Sequence, residues 1–510
     1  MGVAVNSDFF KFTYEFRRHN LKQLDKNKPR VSCIASSSIS KKIKRTTTIT
    51  THAAASSSPA PGAHYPEQLL DVKTKQKRKR IAGIDQDELV DPKLLADPDS
   101  CFCEFNGVHL HYKVYDAESQ SHNSLQSQTA SQLPPATKKI GFPMILFHGF
   151  GASVFSWNRA MKPLAKTTSS KVLAFDRPAF GLTSRVFPFQ QPTPDTENKK
   201  PLNPYSMAFS VLATLYFIHI LAAEKAILVG HFGSCTKTMI YLNLVKQWLA
   251  RHSAGALVAV NSYFEAPERV AALILIAPAI LAPRLIQKVD EGNPLGRNEQ
   301  TERDTSNLVN LLKPFLKVYT ILSMFLKYIT QAMMQVAKGM ADMLHSLYKK
   351  VLSATLRSAV GVTLVRILID KFGLAAVRRA WYNSKEVAEH VIEGYTKPLR
   401  VKGWDRALVE FTAALLIDNE SKMNPPLAKR LHEISCPVLI VTGDTDRIVP
   451  SWNAERLSRA IPGSTFEVIK NCGHVPQEEK VEEFVSIVAR FLQRAFGYSE
   501  SEGKSMQAVS

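Results

Sequence analysis

The sequence predicts an α/β protein with a mainly parallel central sheet flanked by helices on both faces. Three observations lead there. Short apolar runs at residues 143–147, 171–175, 225–230, 271–277, 437–442 and 465–469 are bounded by turn residues and have the continuous apolarity of strands buried on both faces. Helical stretches lie between them, notably 205–223 and 478–495. With 510 residues and 45% apolar content, the chain can bury a large core.

Residues 1–65 are rich in Ser, Thr, Ala and Lys/Arg, poor in acids, and lack the apolar stretch of a secretory signal. They are expected to be a disordered organellar transit peptide, directed to the chloroplast or alternatively to the mitochondrion. Of the formal net charge of +20, most is concentrated here: residues 1–80 hold 17 Lys and Arg against 5 Asp and Glu. The remainder is ordinary for a folded domain, so no nucleic-acid partner is expected. Residues 66–98 form a basic linker, whose run from Lys73 to Arg80 reads as a solvated segment, a nuclear address or a phosphate-binding patch.

The six cysteines, at 33, 101, 103, 235, 436 and 472, make no Cys-X-X-Cys pair. A disulfide framework or structural zinc site is not expected, and Cys101 and Cys103 should be reduced. Neither a metal nor a cofactor is called for. No uncharged apolar run approaches the roughly 18 residues that span a bilayer.

The core's first part is expected at 99–282, opening on a hairpin over 101–115 that turns at Asn106-Gly107. A polar stretch at 117–139 reads as a surface loop. Residues 283–424 carry no strand signal, only helical segments such as 311–327 and 328–347, and are expected to be a cap inserted after the sixth strand. Its Leu, Met and Lys content suits either packing on the core or contact with a membrane or lipid substrate. The core resumes over 425–497, and 498–510 is expected to be a disordered tail.

Turns at strand ends carry the chemistry. His148-Gly149-Phe150-Gly151 follows the first parallel strand and exposes the Phe150 N–H, where a developing oxyanion could be held. Asp176-Arg177-Pro178 follows the second and reads as a structural turn. Downstream, Asp444 and Asp446 end a strand, with Asp446 the better candidate to orient a histidine and Asp444 the better one to hold the turn. His474 follows Gly473 after the last strand.

The nucleophile turn is split. Residues 226–231 run Ala-Ile-Leu-Val-Gly-His, and His252-Ser253-Ala254-Gly255 supplies what reads as the second half of a Gly-X-Ser-X-Gly elbow. Joining Gly230 to His252 gives one elbow with Ser253 at its apex. As written, Arg251 stands where a small residue is required, and the frame that continues from Gly230 puts Phe232 at the apex. The intervening 231–251, equally framed as 232–252, has helical character over 237–250 and is expected to displace the serine. An inserted whole number of codons suggests a retained intron or an alternative exon.

Together these motifs resemble the α/β-hydrolase superfamily, in its capped serine-hydrolase branch, over residues 102–497. The chain order Ser253, Asp446, His474 is similar to the family's own. The resemblance implies the α/β-hydrolase fold and a triad in which Ser253 attacks a carbonyl carbon, His474 takes its proton and Asp446 orients His474. It also implies an oxyanion hole made by the N–H groups of Phe150 and Ala254. A serine argues against the aspartate-dependent epoxide hydrolases and dehalogenases of the fold. Ester, thioester or C–C bond hydrolysis of a small or lipid-like molecule is the expected class, impaired here by the insertion. A non-catalytic ligand-binding protein of the same fold is the alternative.

Overall fold

The computed structural model describes residues 31–33, 80–117, 140–186, 202–232, 255–280, 306–417 and 426–497, with side chains excepted at 31–33 and 306–317. Eleven strands are described: β1 (Val31–Cys33), β2 (Arg80–Ile81), β3 (Ile84–Asp85), β4 (Cys101–Phe105), β5 (Val108–Tyr115), β6 (Met144–Phe147), β7 (Val172–Phe175), β8 (Ala226–His231), β9 (Val270–Ile276), β10 (Val438–Gly443) and β11 (Thr465–Ile469). Nine of them make one sheet, ordered β1-β4-β5-β7-β6-β8-β9-β10-β11. The pairings among β6 to β11 are all parallel, and those joining β1, β4, β5 and β7 are antiparallel.

The local sequence explains these elements. The β4–β5 hairpin turns at Asn106 and Gly107 with φ of 47° and 74°, the left-handed pair that an Asn-Gly turn adopts without strain. In β6, Met144 and Leu146 face one layer while Ile145 and Phe147 face the other, so a wholly apolar run serves two cores. The first core is covered by α2 (Met207–Ile220), α3 (Gly255–Glu265) and α9 (Ser451–Ala460); the second by α1 (Asn158–Thr168) and α11 (Val481–Phe496). Ser206 caps α2 by accepting the N–H of Phe209 at 3.1 Å. In α11, Val481, Phe484, Val485, Val488, Phe491 and Leu492 recur at helical spacing and are buried on the sheet.

Between β9 and β10 the described chain is helical apart from turns and one isolated bridge: α4 (Ser306–Arg357), α5 (Ala359–Ala380), α6 (Glu389–Thr396) and α7 (Trp404–Ile417). The two segments expected at 311–327 and 328–347 are one helix of 52 residues. Nothing between Lys327 and Tyr328 can break a helix, and the first real corner comes at Ser358. There the Ser358 hydroxyl accepts the N–H of Gly361, whose absent Cβ leaves room for the Leu356 carbonyl. Arg357 donates to both carboxylate oxygens of Glu410, at 2.8 and 2.9 Å, tying the end of α4 to α7. A short α8 (Leu427–Arg430) leads into β10; after it come α9, and then α10 (Pro476–Glu479) and α11, which the sequence joined into one helix from 478; Lys480, at φ −125° and ψ 58°, separates them.

Of the first 65 residues, only β1 falls among those described, paired antiparallel with Cys101–Cys103. The loop at 117–139 lies almost wholly outside the described residues. So do the expected helix at 237–250 and the tail at 498–510.

Candidate active site

The carboxyl ends of β6, β8, β10 and β11 converge, which is where parallel sheets of this kind gather their functional turns. The turns after β10 and β11 touch through glycines. A Cβ on Gly443 would lie 2.1 Å from the Gly473 carbonyl oxygen, so only glycine permits the approach. That approach sets Asp446 beside His474.

Asp446 Oδ1 accepts the N–H groups of Ile448 and Val449 at 2.7 and 2.8 Å, which fixes the carboxylate. Its Oδ2 accepts from His474 Nδ1 at 2.7 Å, with both side chains wholly buried. Asp444 accepts the Cys472 N–H at 3.3 Å and the Thr445 hydroxyl at 3.0 Å, which is the work of a turn holder. The His474 N–H donates to the Ala380 carbonyl at the end of α5, and the Gly473 N–H to Glu479, so the helical block bears directly on the histidine turn.

The other ring nitrogen of His474 is engaged too. Nε2 donates to the Phe232 carbonyl at 2.8 Å. With a carboxylate on one side and a carbonyl on the other, both nitrogens of the ring are engaged. Phe232 is the residue that follows Gly230-His231, the third position of the elbow as the chain is written. A main-chain oxygen therefore occupies the direction in which His474 would meet a hydroxyl.

Gly230 and Gly255, which the sequence reading places in the two halves of an elbow, are brought together in space. A Cβ on Gly230 would lie 2.5 Å from Ala256 Cα, and one on Gly255 would lie 2.5 Å from the Phe147 carbonyl and 2.8 Å from that of His231. Chain thus leaves at Phe232 and is back at the same strand end by Gly255. Ser253 and Ala254 lie outside the described residues.

Phe150 is described in the turn after β6, with its ring 5.6 Å from Phe180 and 6.1 Å from Phe411 of α7. His148 donates from Nδ1 to the Gly149 carbonyl and accepts the Arg177 N–H at Nε2, which assigns its tautomer. Burial, with the Arg177 charge, pushes His148 down to about 4, so the turn is built on a neutral ring. Arg177, buried with its guanidinium over Phe180 and Phe411, borders a small cavity with Tyr205, Ser210 and Leu415.

Four contributors went unforeseen. His231 donates from Nε2 to the His474 carbonyl at 3.1 Å, and burial first, then the neighbouring His474, holds it well below the usual imidazole range. The Phe232 carbonyl carries no signal in a side-chain reading. Glu478 is buried and accepts the Tyr395 hydroxyl from α6 at 2.7 Å; burial lifts it to about 8.

The fourth is His111, whose Nδ1 donates to Asp176 at 2.6 Å while Nε2 meets the Ser100 hydroxyl at 2.8 Å. This is a second Ser-His-Asp chain, but all three residues are 0% exposed, and Asp176 also accepts the N–H groups of Val154 and Leu182. It is a brace for the turns after β6 and β7, in keeping with the structural role that the sequence suggests for Asp176. Metal-ligating clusters are absent among the described residues.

A model of the alpha/beta hydrolase family matches residues 144–487. The chain belongs to that family. This alpha/beta hydrolase is 40% identical over 79 residues to the 2-hydroxy-6-oxononadienedioate/2-hydroxy-6-oxononatrienedioate hydrolase of Klebsiella pneumoniae, a match covering 16% of this chain and 27% of that protein. It is 46% identical over 69 residues to the second such hydrolase of Pseudomonas putida, covering 14% of this chain and 24% of the relative. The matched segments thus span about a quarter of the length of these curated relatives.

Among solved structures, it is similar to a thermophilic esterase from Thermogutta terrifontis, with a TM-score of 0.42 and 16% identity over 76% of this chain and 94% of that one. It is also similar to a serine hydrolase involved in carbazole degradation, with a TM-score of 0.40 and 16% identity over 78% of this chain and 98% of that one. The alpha/beta hydrolase has the fold of its family, a mostly parallel sheet flanked by helices.

Proposed function

We propose that this alpha/beta hydrolase belongs to its capped serine-hydrolase branch, cleaving an ester, thioester or C–C bond of a small or lipid-like molecule through Ser253, Asp446 and His474. In the reaction, Ser253 Oγ attacks the carbonyl carbon as His474 Nε2 takes its proton. Asp446 stabilises the imidazolium, and the N–H groups of Phe150 and Ala254 receive the oxyanion. Helices α4 to α7 are the cap over that site, and touch a membrane or lipid surface. The N-terminal segment is the targeting signal of a plant organellar protein, addressed to the chloroplast or alternatively the mitochondrion.

As written, the chain is an impaired form. The observation that carries this is the 2.8 Å hydrogen bond from His474 Nε2 to the Phe232 carbonyl, which withholds the base from any hydroxyl. Displacing a reacting group by about 1 Å can cost about a hundredfold in rate, and a blocked base costs at least as much. The same bond supports the second reading, a ligand-binding protein without turnover.

Reaction of the chain as written, and of one lacking 231–251, with a fluorophosphonate that modifies activated serines separates these. Labelling of Ser253 only in the shortened protein is expected. Equal labelling of both would overturn the impairment, and labelling of neither would favour the ligand-binding reading.

A further inference from the structure

The described part of α4 carries a bare apolar face laid out with an eleven-residue period. Val318, Ile329, Met340 and Val351 mark it, and Leu322 and Phe325 divide the first repeat into steps of four, three and four. Met333 and Val336 divide the second in the same way, as Leu344 and Leu347 do the third. These ten side chains are between 41% and 67% exposed. An isolated apolar residue at the surface needs no explanation, but a continuous stripe of this length does.

The period decides the shape of what fits there. Eleven residues make three turns of an α-helix with a drift of only about 20°, so the stripe runs almost parallel to the axis of a straight helix for about 50 Å. A seven-residue period drifts the other way and requires a partner helix wound around it. The face here is also broader than a coiled-coil seam, since Ile321 and Leu326 widen it on either side, at 63% exposure each. Tyr319 and Tyr348 run along one border, where an aromatic ring with a polar tip suits a lipid–water boundary.

Charge gives the second argument. Over 318–357 the helix holds Lys327, Lys338, Lys349, Lys350 and Arg357 against a single acid, Asp342. Lys327, Lys338 and Lys349 repeat the same eleven-residue step on the opposite face. Among the described residues no helix is long and apolar enough to cross a membrane. A helix that is apolar on one face, basic on the other and unable to span belongs in the interface.

We infer that α4 docks flat on a lipid bilayer carrying anionic headgroups, its eleven-residue stripe in the acyl boundary. The inference rests on the reading that the helical block touches a membrane and names the surface and lipid charge involved. Because Arg357 and the Ser358 corner tie α4 to α5 and α7, docking would bring α7, and Phe411 over the Phe150 turn, close to the bilayer. Lipid-like substrates would then meet the cap without crossing water.

Flotation of the full chain tests it, with vesicles of phosphatidylcholine alone and of phosphatidylcholine and phosphatidylglycerol in equal parts. Flotation with the anionic vesicles is expected, at least about fivefold stronger than with the neutral ones for each lysine that reaches the headgroups. Phe325→Glu with Met340→Glu should lower it more than about tenfold. Gln331→Glu with Gln335→Glu, which adds the same charge to the polar face, should lower it far less.

No flotation with either vesicle would overturn both this inference and the membrane reading beneath it. Flotation that the stripe variant leaves intact would overturn the inference alone, as would equal flotation with neutral vesicles. A dimer in light scattering that the stripe variant dissociates, without flotation, would name a second copy as the occupant and overturn it too. Thermal unfolding of each variant, unchanged from the parent, shows that the exposed substitutions spare the core.

Discussion

Gly230 and Gly255, far apart in the chain, stand face to face at the end of β8: a Cβ on Gly230 would lie 2.6 Å from the Gly255 carbonyl oxygen. The chain on either side of residues 233–254 therefore meets at one end of β8.

Gly255→Ala is expected to destabilise the fold by about 1–3 kcal/mol, the usual result of forcing a methyl group into a filled space. All the atoms that it would meet within 2.8 Å are backbone carbonyls, of Phe147, His148 and His231, so no side chain can swing aside. Urea unfolding measures the loss; a midpoint equal to that of the parent would mean that the turn after β6 yields.

In the chain lacking 231–251, Asp446→Asn should slow fluorophosphonate labelling on the order of 10⁴-fold, since an amide in place of the carboxylate favours the wrong tautomer of His474. Its melting temperature should change little, because Asn still offers an oxygen to the Ile448 and Val449 N–H groups. A matching fall in both would reduce Asp446 to a structural role.

Glu478 predicts a pH dependence. Its folded pKa is raised to about 8, above the ordinary 4.5, by burial that outweighs the Tyr395 hydrogen bond and the Arg159 charge, with neighbouring Glu479 adding to the rise. The folded state therefore binds the proton more tightly than the unfolded one, so stability declines as pH rises from about 4.5 to about 8 and is flat beyond. The full penalty has a ceiling of roughly 5 kcal/mol. Glu478→Gln keeps an acceptor for Tyr395 and removes the titration. Its melting temperature should gain on the parent progressively across that window, and a constant gap would refute the assignment.

Asp176→Ala is expected to cost about 3–5 kcal/mol, leaving three buried donors, on His111, Val154 and Leu182, with no acceptor. Calorimetry on the chain as written suffices, because the brace does not involve the triad. A loss below about 1 kcal/mol would mean that water enters and replaces the carboxylate.

If 231–251 arises by splicing, cDNA amplified across the Gly230 codon should yield two products that differ by the codons of that segment. A single long product would exclude the splicing origin.

The sheet was legible because strands buried on both faces are uniformly apolar: the run at 465–469 coincides with β11, and the others differ from their strands by a residue or so at an end. The helical block was legible only as helix. Its internal corner depends on the Leu356 carbonyl fitting against Gly361, a long-helix contact that periodicity does not encode. At the site, Asp446 and His474 could be found because turns after strands are short and carry recognisable polar residues. The partner of His474 Nε2 could not, since it is the backbone oxygen of Phe232, and neither could Glu478, whose setting is made by Tyr395 from a distant helix.

The chain departs at Phe232 and is back at the same strand end by Gly255, and bringing two chain ends together costs about 0.6 kcal/mol for each doubling of the length between them. If a form lacking 231–251 is also made, cellular quality control, which senses exposed core, would pass the long form as readily as the short one. On the proposed reading, two such forms would share one sheet and one core and differ only in turnover.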